Sequence, residues 1–559
     1  MQKKQTILVV ASLLVVVLSV TLAYFTAQII GKGKNVTINS ADLKIIFTDN
    51  DGSISGTNIE PGKWNVTKTF TIENKSNETY KYNIVIQDLV NTFVTNGYLQ
   101  YKITSTNGGY NMTEFKDVPK SSVATDTILA YSASIDVGVT QTYTVQFIYK
   151  NDEEVDQSED MGKKLSGKLF ITEGTKEPVT LLSQILNDNP TRSTRSSNNN
   201  GTNDFATPLT TTTTGTLFTS TESIAGGTPK EVYYYAGNTT NNWLKFGTFA
   251  SDGPIRGYYS TTSTSLYKEY TTLDECNSAS SYNTNCSYAW RKGDQMYWRI
   301  IRTNHDGSIR LLYSGTNPDT TEGHLGKSAF NTSYNSPKYV GYKYGEDTSL
   351  DTIRNNTTDS TIKTYVDNWY KNNLTNYTKY LSTSAVYCND RSLGTGQTYS
   401  ASSSSKFNFA TYYRMGDDTK GAKANPTYNC TDIRDAFSVD NTSAKLTYPV
   451  SLMTADEIAF AGGVANKNMN RPYAWFISNS VGTQVSAYWW SLSPFSWDGS
   501  HAFVWRWDSV YADNLSVRVG DPIAVRPVIS LKSCIKYGTG NGSAETPYEI
   551  VETSSGCWW

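Results

Sequence analysis

All six cysteines of this chain, Cys276, Cys286, Cys388, Cys430, Cys534 and Cys557, lie in its second half. That distribution divides the folding problem. Whatever forms before Cys276 must hold by burial alone, while the region from Cys276 onward has cross-links available if the compartment is oxidising. The amino terminus points to such a compartment: Lys3 and Lys4 precede Ile7 to Phe25, 19 residues without a charge. That length suits either a secretory leader or a bilayer span. Small residues at Thr21 and Ala23 leave both cleavage and retention open, and in either case the lysines stay inside and everything after residues 1–30 is exported. Closeness in sequence and in the expected hairpins favours Cys276 with Cys286, Cys388 with Cys430, and Cys534 with Cys557. The absence of C-x-x-C spacing and a total of 3 histidines argue against zinc.

Between residues 36 and 173 the apolar positions have period two: Trp64, Val66, Phe70, Ile72; then Tyr80, Tyr82, Ile84, Ile86; then Tyr143, Val145, Phe147, Tyr149. Thr, Lys, Asn and Gln fill the alternate positions, so each run is a half-buried strand. Gly, Asn and Pro turns between the runs predict an antiparallel β-sandwich. The AYFTA segment at Ala23–Ala27, the PGKW turn at Pro61–Trp64 and the TFTIEN strand at Thr69–Asn74 resemble the camelysin and TasA-like surface proteins of bacteria. That resemblance implies a cell-surface or biofilm-matrix setting. The metallopeptidase activity named for some relatives lacks its H-E-x-x-H sequence here, since none of His305, His324 and His501 begins one.

Residues 174–230 contain NDNPTRSTRSSNNNGTND and the run Thr210–Thr214, too polar to bury much surface, and read as a linker or stalk with at most a helical turn at Val179–Leu186. Beyond them, 231–559 forms the largest region, of α+β character with many short strands. Trp298 to Tyr313 reads as a hairpin around Asn304–Ser308, which places His305 in an exposed turn. Ile362, Tyr365, Val366, Trp369 and Tyr370 recur at helical spacing between Ser360 and Leu374, one apolar stripe against a core. Thr454 and Glu457 form a capping box that starts a short helix at Ala455, ending near Gly462 and Gly463.

The segment 488–527 holds nine aromatic residues among Ser, Asp, Asn, His, Arg and Gly. Rings give contact area at small entropy loss and short polar neighbours adapt, the mixture of a binding face. Charges between the rings argue against a buried core. Trp489, Trp490 and some of Trp497, Trp505 and Trp507 serve as scaffolding. The expected contact set is Phe495, Ser496, Asp498, His501, Phe503, Arg506, Ser509, Tyr511 and Asp513, with Trp505 and Trp507 beside them.

YPVSLMTADEIAFAGG at Tyr448–Gly463, Tyr488–Ser493 and AVRPVISL at Ala524–Leu531 are similar to segments of the C-type lectin fold in its formylglycine-generating-enzyme variant. More closely, WRIIRTN, YCNDRS, LTYPVSLMTADE and VRPVISLKSC resemble uncharacterised exported bacterial proteins whose segment before VRPVISL differs between members. The arrangement also resembles the targets of diversity-generating retroelements, in which adenine-directed mutagenesis rewrites a near-terminal segment of such a domain. AAC codons altered only at adenine encode Phe, Ser, Asp, His, Arg and Tyr, but never Trp.

These resemblances imply a surface-displayed binding protein, without catalysis, that recognises a protein or glycan through 488–527. The near-neutral charge of -2 gives no reason to expect nucleic acid as a partner. Two alternatives remain. One is a formylglycine-generating-enzyme-like oxidoreductase, which the resemblance would equip with an active-site cysteine pair and a metal; the other is a matrix or fibre subunit. No cofactor is expected, with calcium at Asp306, Asp508 or Asp513 the one metal left open.

Overall fold

The computed structural model describes residues 34–40, 43–49, 54–56, 60–75, 79–95, 97–174, 179–195, 205, 215–237, 239–260, 263–318, 323–415, 425–462, 475, 488–508, 513–553 and 556–557. The leader lies outside the described residues, and among those described no helix is long and apolar enough to cross a membrane. The chain divides into two compact units, with the boundary between Pro178 and Val179.

In the first unit the period-two runs become strands of two antiparallel sheets. One sheet has the order Lys34–Ser40, Leu43–Asp49, Asn65–Asn74, Thr140–Tyr149, Leu99–Ser105, Lys116–Asp117. The other runs Ile54–Gly56, Leu165–Glu173, Tyr80–Asn91, Ser121–Ile135. Register places Phe70 opposite Tyr143, and their rings stack at 5.2 Å. Phe70, Ile72, Tyr82, Ile84, Tyr143, Val145 and Phe147 join one buried cluster drawn from both sheets, so the alternation is what closes the sandwich. Burial alone holds it, because all the cysteines lie in the second unit.

The second unit begins earlier than composition indicates. Part of the stretch 174–230, a linker by composition, is folded: Leu181–Asp188 is a helix capped by Thr180, whose side chain accepts from the Ser183 amide at 3.1 Å, and Thr216–Glu222 is a strand. Leu181, Ile185, Phe205, Leu217 and Phe218 are all buried. Averaging over a polar stretch hides a few widely spaced apolar residues, and each of these finds a core.

The main sheet runs Thr191–Thr194, Thr216–Glu222, Lys230–Tyr234, Gln295–Thr303, Trp243–Thr248, Tyr548–Ile550, Tyr537–Thr539. The expected hairpin is present as Gln295–Thr303 and Ile309–Tyr313, and its second strand pairs with Pro527–Leu531. The helix Thr361–Asn373 buries Ile362, Val366, Trp369 and Tyr370, as its spacing predicts. The three cysteine pairs form as the hairpins suggested: Cys276 to Cys286, Cys388 to Cys430 and Cys534 to Cys557. Three disulfides suit an oxidising compartment.

Beneath the sheet lies a buried ionic cluster. The helix Ala455–Ala461 starts with the reciprocal Thr454 and Glu457 bonds, both at 3.0 Å, and stops at Gly462, whose φ of 117° admits no side chain without strain. The same Glu457 carboxylate accepts from Arg302 Nε at 2.8 Å and from Arg310 Nη1, which tie the helix to both strands of the hairpin. Arg302 also reaches Glu222 at 2.9 Å, and Glu222 accepts from the His305 amide at 2.5 Å. His305 therefore occupies the turn, but it is held against this carboxylate rather than freely exposed. Its side chain is only 26% accessible.

Removing one member of such a cluster leaves buried charge uncompensated. Glu457→Ala is expected to lower unfolding free energy by about 3–5 kcal/mol, measured by urea titration. Burial pushes the Glu222 carboxyl up, yet Arg302, His305 and Arg310 outweigh it and hold the group at about 2 against its usual 4.5. The unfolded chain thus binds the extra proton between those values. Stability is full above about pH 4.5 and is lost as pH falls towards 2, so a flat stability profile across that window contradicts the arrangement.

Candidate ligand-binding face

The segment 488–527 is not a long loop. Tyr488–Trp497, Ala502–Asp508 and Asp513–Arg518 are consecutive antiparallel strands of a sheet that also contains Lys327–Ser328, Phe407–Asn408 and Ile523–Ala524. Register sets Trp489 opposite Trp507, Trp490 opposite Arg506, Ser496 opposite Phe503 and Trp497 opposite Ala502. Both faces of the first two strands are largely covered, so side chains pointing either way are buried. Trp489, Trp490 and Trp507 are fully enclosed, and Trp490 donates its Nε1 hydrogen to the Ser328 carbonyl at 2.8 Å.

This placement corrects several expected contact residues. Trp505 and Trp507 are 2% and 0% accessible, and Ser496 is buried as well, so none of the three is open to a ligand. Phe495 is half-buried, edge-on to Trp505 at 4.6 Å and Tyr412 at 5.0 Å, and fills the interior around Met415, Ala455 and Ala459. Asp498 makes the turn between the first two strands. Its carboxylate accepts from the Ser500 amide at 2.8 Å and the His501 amide at 2.7 Å. Burial pushes this carboxyl up, but those amides and His501 outweigh it and hold it below its ordinary value. Gly499 completes the turn at φ 94°, where a Cβ would sit 2.4 Å from the Ser403 carbonyl oxygen.

Of the charges that argued against a core, Asp498 sits in a turn and Arg506 stays partly exposed within its strand, while Trp489, Trp490, Trp505 and Trp507 pack inward. Asp513 starts the third strand opposite Asp508, and its side chain lies outside the described residues. Ser509 and Tyr511 also lie outside them.

Three of the expected residues reach the surface. His501 stacks on Tyr334 with centroids 5.2 Å apart and planes 17° from parallel, and Phe503 meets His501 edge-on at 6.3 Å. Arg506 lies over the Tyr488 ring at 3.6 Å. Tyr334 is 45% and Tyr488 38% accessible. Sequence reasoning missed both as contact residues. The available signal for Tyr334 was a lone ring in the polar stretch NTSYNSP, where no apolar periodicity requires one. Its carbonyl accepts from the Ala502 amide at 2.9 Å, which fixes the ring beside His501.

The remaining candidates have structural engagements. Asp306 accepts from Ser382 Oγ at 2.6 Å and Ser384 Oγ at 2.7 Å, as a turn anchor does. His324 is buried against the Tyr267 hydroxyl at 3.0 Å, and burial pushes its pKa well below the ordinary value, so it stays neutral. Among the described residues no group of three or more His, Cys, Asp or Glu side chains could hold a metal ion. A small cavity lined by Arg302, Arg310, Asp390, Arg414 and Asp456 is polar, but Arg414 binds both aspartates, at 2.8 and 3.0 Å.

Scaffold and face are separable by substitution. Trp507→Ala is expected to cost about 3–5 kcal/mol of stability, whereas His501→Ala should stay within roughly 1 kcal/mol of wild type in urea unfolding. Equal losses would contradict the assignment. No protein-family model, curated protein or solved structure matches this chain.

Proposed function

We propose that the chain is an exported, surface-displayed recognition protein: the first unit is a β-sandwich spacer and the second a disulfide-braced head whose ligand face is built on Tyr334, His501 and Phe503. The observation that carries this reading is the stack of partly exposed rings formed by Tyr334, His501 in the turn and Phe503 on the following strand, beside strands anchored by the buried Trp489, Trp490, Trp505 and Trp507. Rigid aromatic anchors with polar neighbours are what protein and glycan interfaces use for affinity. The resemblance to lectin-type domains with a retroelement-rewritten segment supports the same reading. Phe503 and His501 can change without touching the buried tryptophans, which adenine-directed mutagenesis of AAC codons cannot create.

The oxidoreductase alternative needs reactive thiols, and all six cysteines are paired. It therefore requires a disulfide to be opened first.

The test has two arms. Sequencing of the DNA beside the coding region should find a reverse-transcriptase gene and an Asn-rich near-repeat of codons 488–527. The full chain, labelled and applied to a panel of bacterial cells and phage particles, should bind at least one member. A variant carrying His501→Ala and Phe503→Ala should bind about tenfold more weakly, a change of about 1.4 kcal/mol. Undiminished binding by this variant would overturn the assignment of the face.

A further inference from the structure

We propose that the cleft between the segment 328–333 and the helix Thr361–Asn373 binds an uncharged oligosaccharide. The proposal rests on reading the head as a recognition module, and it names a ligand class and a subsite separate from the ring face. The cleft is a broad, open depression of about 400 Å³, within the size range of small-molecule sites. Its walls carry Asn331, Thr332, Ser333, Thr364, Asn368 and the rings of Tyr344 and Tyr365. Not one Leu, Ile, Val or Met lines it, so it offers no pocket for an apolar peptide side chain.

The charge pattern excludes ions as the natural occupant. Asp359 is the sole carboxylate in the lining, and it already lies 3.1 Å from Lys343 and 3.1 Å from Lys363. Burial pushes the Tyr344 and Tyr365 hydroxyls up, so both remain neutral donors. The helix start beside the cleft provides no spare donors for an anion: the Thr361 amide is bound by Asn331 Oδ1 at 3.2 Å, the Ile362 amide by the Phe330 carbonyl at 3.0 Å and the Lys363 amide by Ser360 Oγ at 3.2 Å.

What the cleft does present is neutral hydrogen-bonding capacity. Thr332, Ser333 and Asn368 are exposed, and their side chains make no hydrogen bond among the described residues. Hydroxyls both donate and accept, and an amide does both at fixed positions, which matches the mixed hydroxyls of a sugar. Tyr334 directly follows Ser333 and shows nearly half its surface, with His501 stacked behind it. A sugar ring has polar edges and two apolar C–H faces. The cleft meets the edges, and the Tyr334 ring can meet a face of the next unit along.

The experiment uses the purified full chain and calorimetric titration with cellohexaose, maltohexaose, chitohexaose and mannohexaose, with a heparin hexasaccharide as the anionic comparison. At least one neutral hexasaccharide should bind saturably, with heparin binding at least about tenfold more weakly. Asn368→Trp, at an exposed position, fills the cleft and should weaken that binding by at least about tenfold with an unchanged unfolding midpoint; Thr364→Trp is the second blocking variant should the first not fold. Loss of binding in both cleft variants, with their unfolding midpoints unchanged, supports the cleft even if the ring-face reading fails. Loss only in His501→Ala overturns the cleft and leaves the ring face standing. Binding of heparin alone, or of none of the neutral sugars at millimolar concentration, overturns the proposal.

Discussion

One buried carboxylate organises the head. Glu457 closes its own helix start through the Thr454 amide and accepts from Arg302 and Arg310, which stand on the two strands of the central hairpin. With 1% of its side chain accessible, it has almost no water to satisfy it. Charge buried to this degree is tolerated only when every partner is in place, so the cluster penalises any arrangement in which helix and hairpin are misplaced. Glu222 extends the same constraint to the strand Thr216–Glu222 and, through the His305 amide, to the hairpin turn.

Much of this architecture is legible in the chain. Period two reports the sandwich because each of its strands faces one core, and the Thr454 and Glu457 spacing reports a helix start because capping is local chemistry. The cysteine pairs follow the order of the chain, each cysteine joined to the next one along, at separations of 10, 42 and 23 residues. What escapes is whatever depends on a second covering layer. The segment Tyr488 to Asp508 reads as a surface because Asp498, Arg506 and Asp508 interrupt its rings. In fact, the strands are largely covered on both faces: Asp498 lies in the turn between them, Ser491 and Ser493 are buried within the first, and Arg506 is spread over the Tyr488 ring. For the same reason composition hides Leu181, Ile185 and Leu217, isolated apolar residues whose partners lie far along the sequence.

The correction narrows the proposed recognition surface and gives it a physical frame. A face in which every ring were free would be sticky and poorly ordered. Here Trp489, Trp490 and Trp507 are enclosed within the strands, Asp498 and Gly499 fix the turn, His501 stacks on Tyr334 and Phe503 meets His501 edge-on. On the proposed function, binding energy need not be spent on ordering the segment, the general advantage of preorganisation.

The central claim is that rings of one segment divide into a locked set and a presented set. Hydroxyl-radical footprinting of the native full chain, read residue by residue by mass spectrometry, measures that division directly. The account predicts clear modification of the partly accessible Tyr334, His501 and Phe503, with Trp489, Trp490, Trp505 and Trp507 protected relative to the urea-unfolded chain at least roughly tenfold, as their near-zero accessibility demands. Protection of Phe503 and Tyr334, or ready oxidation of Trp507, would contradict it.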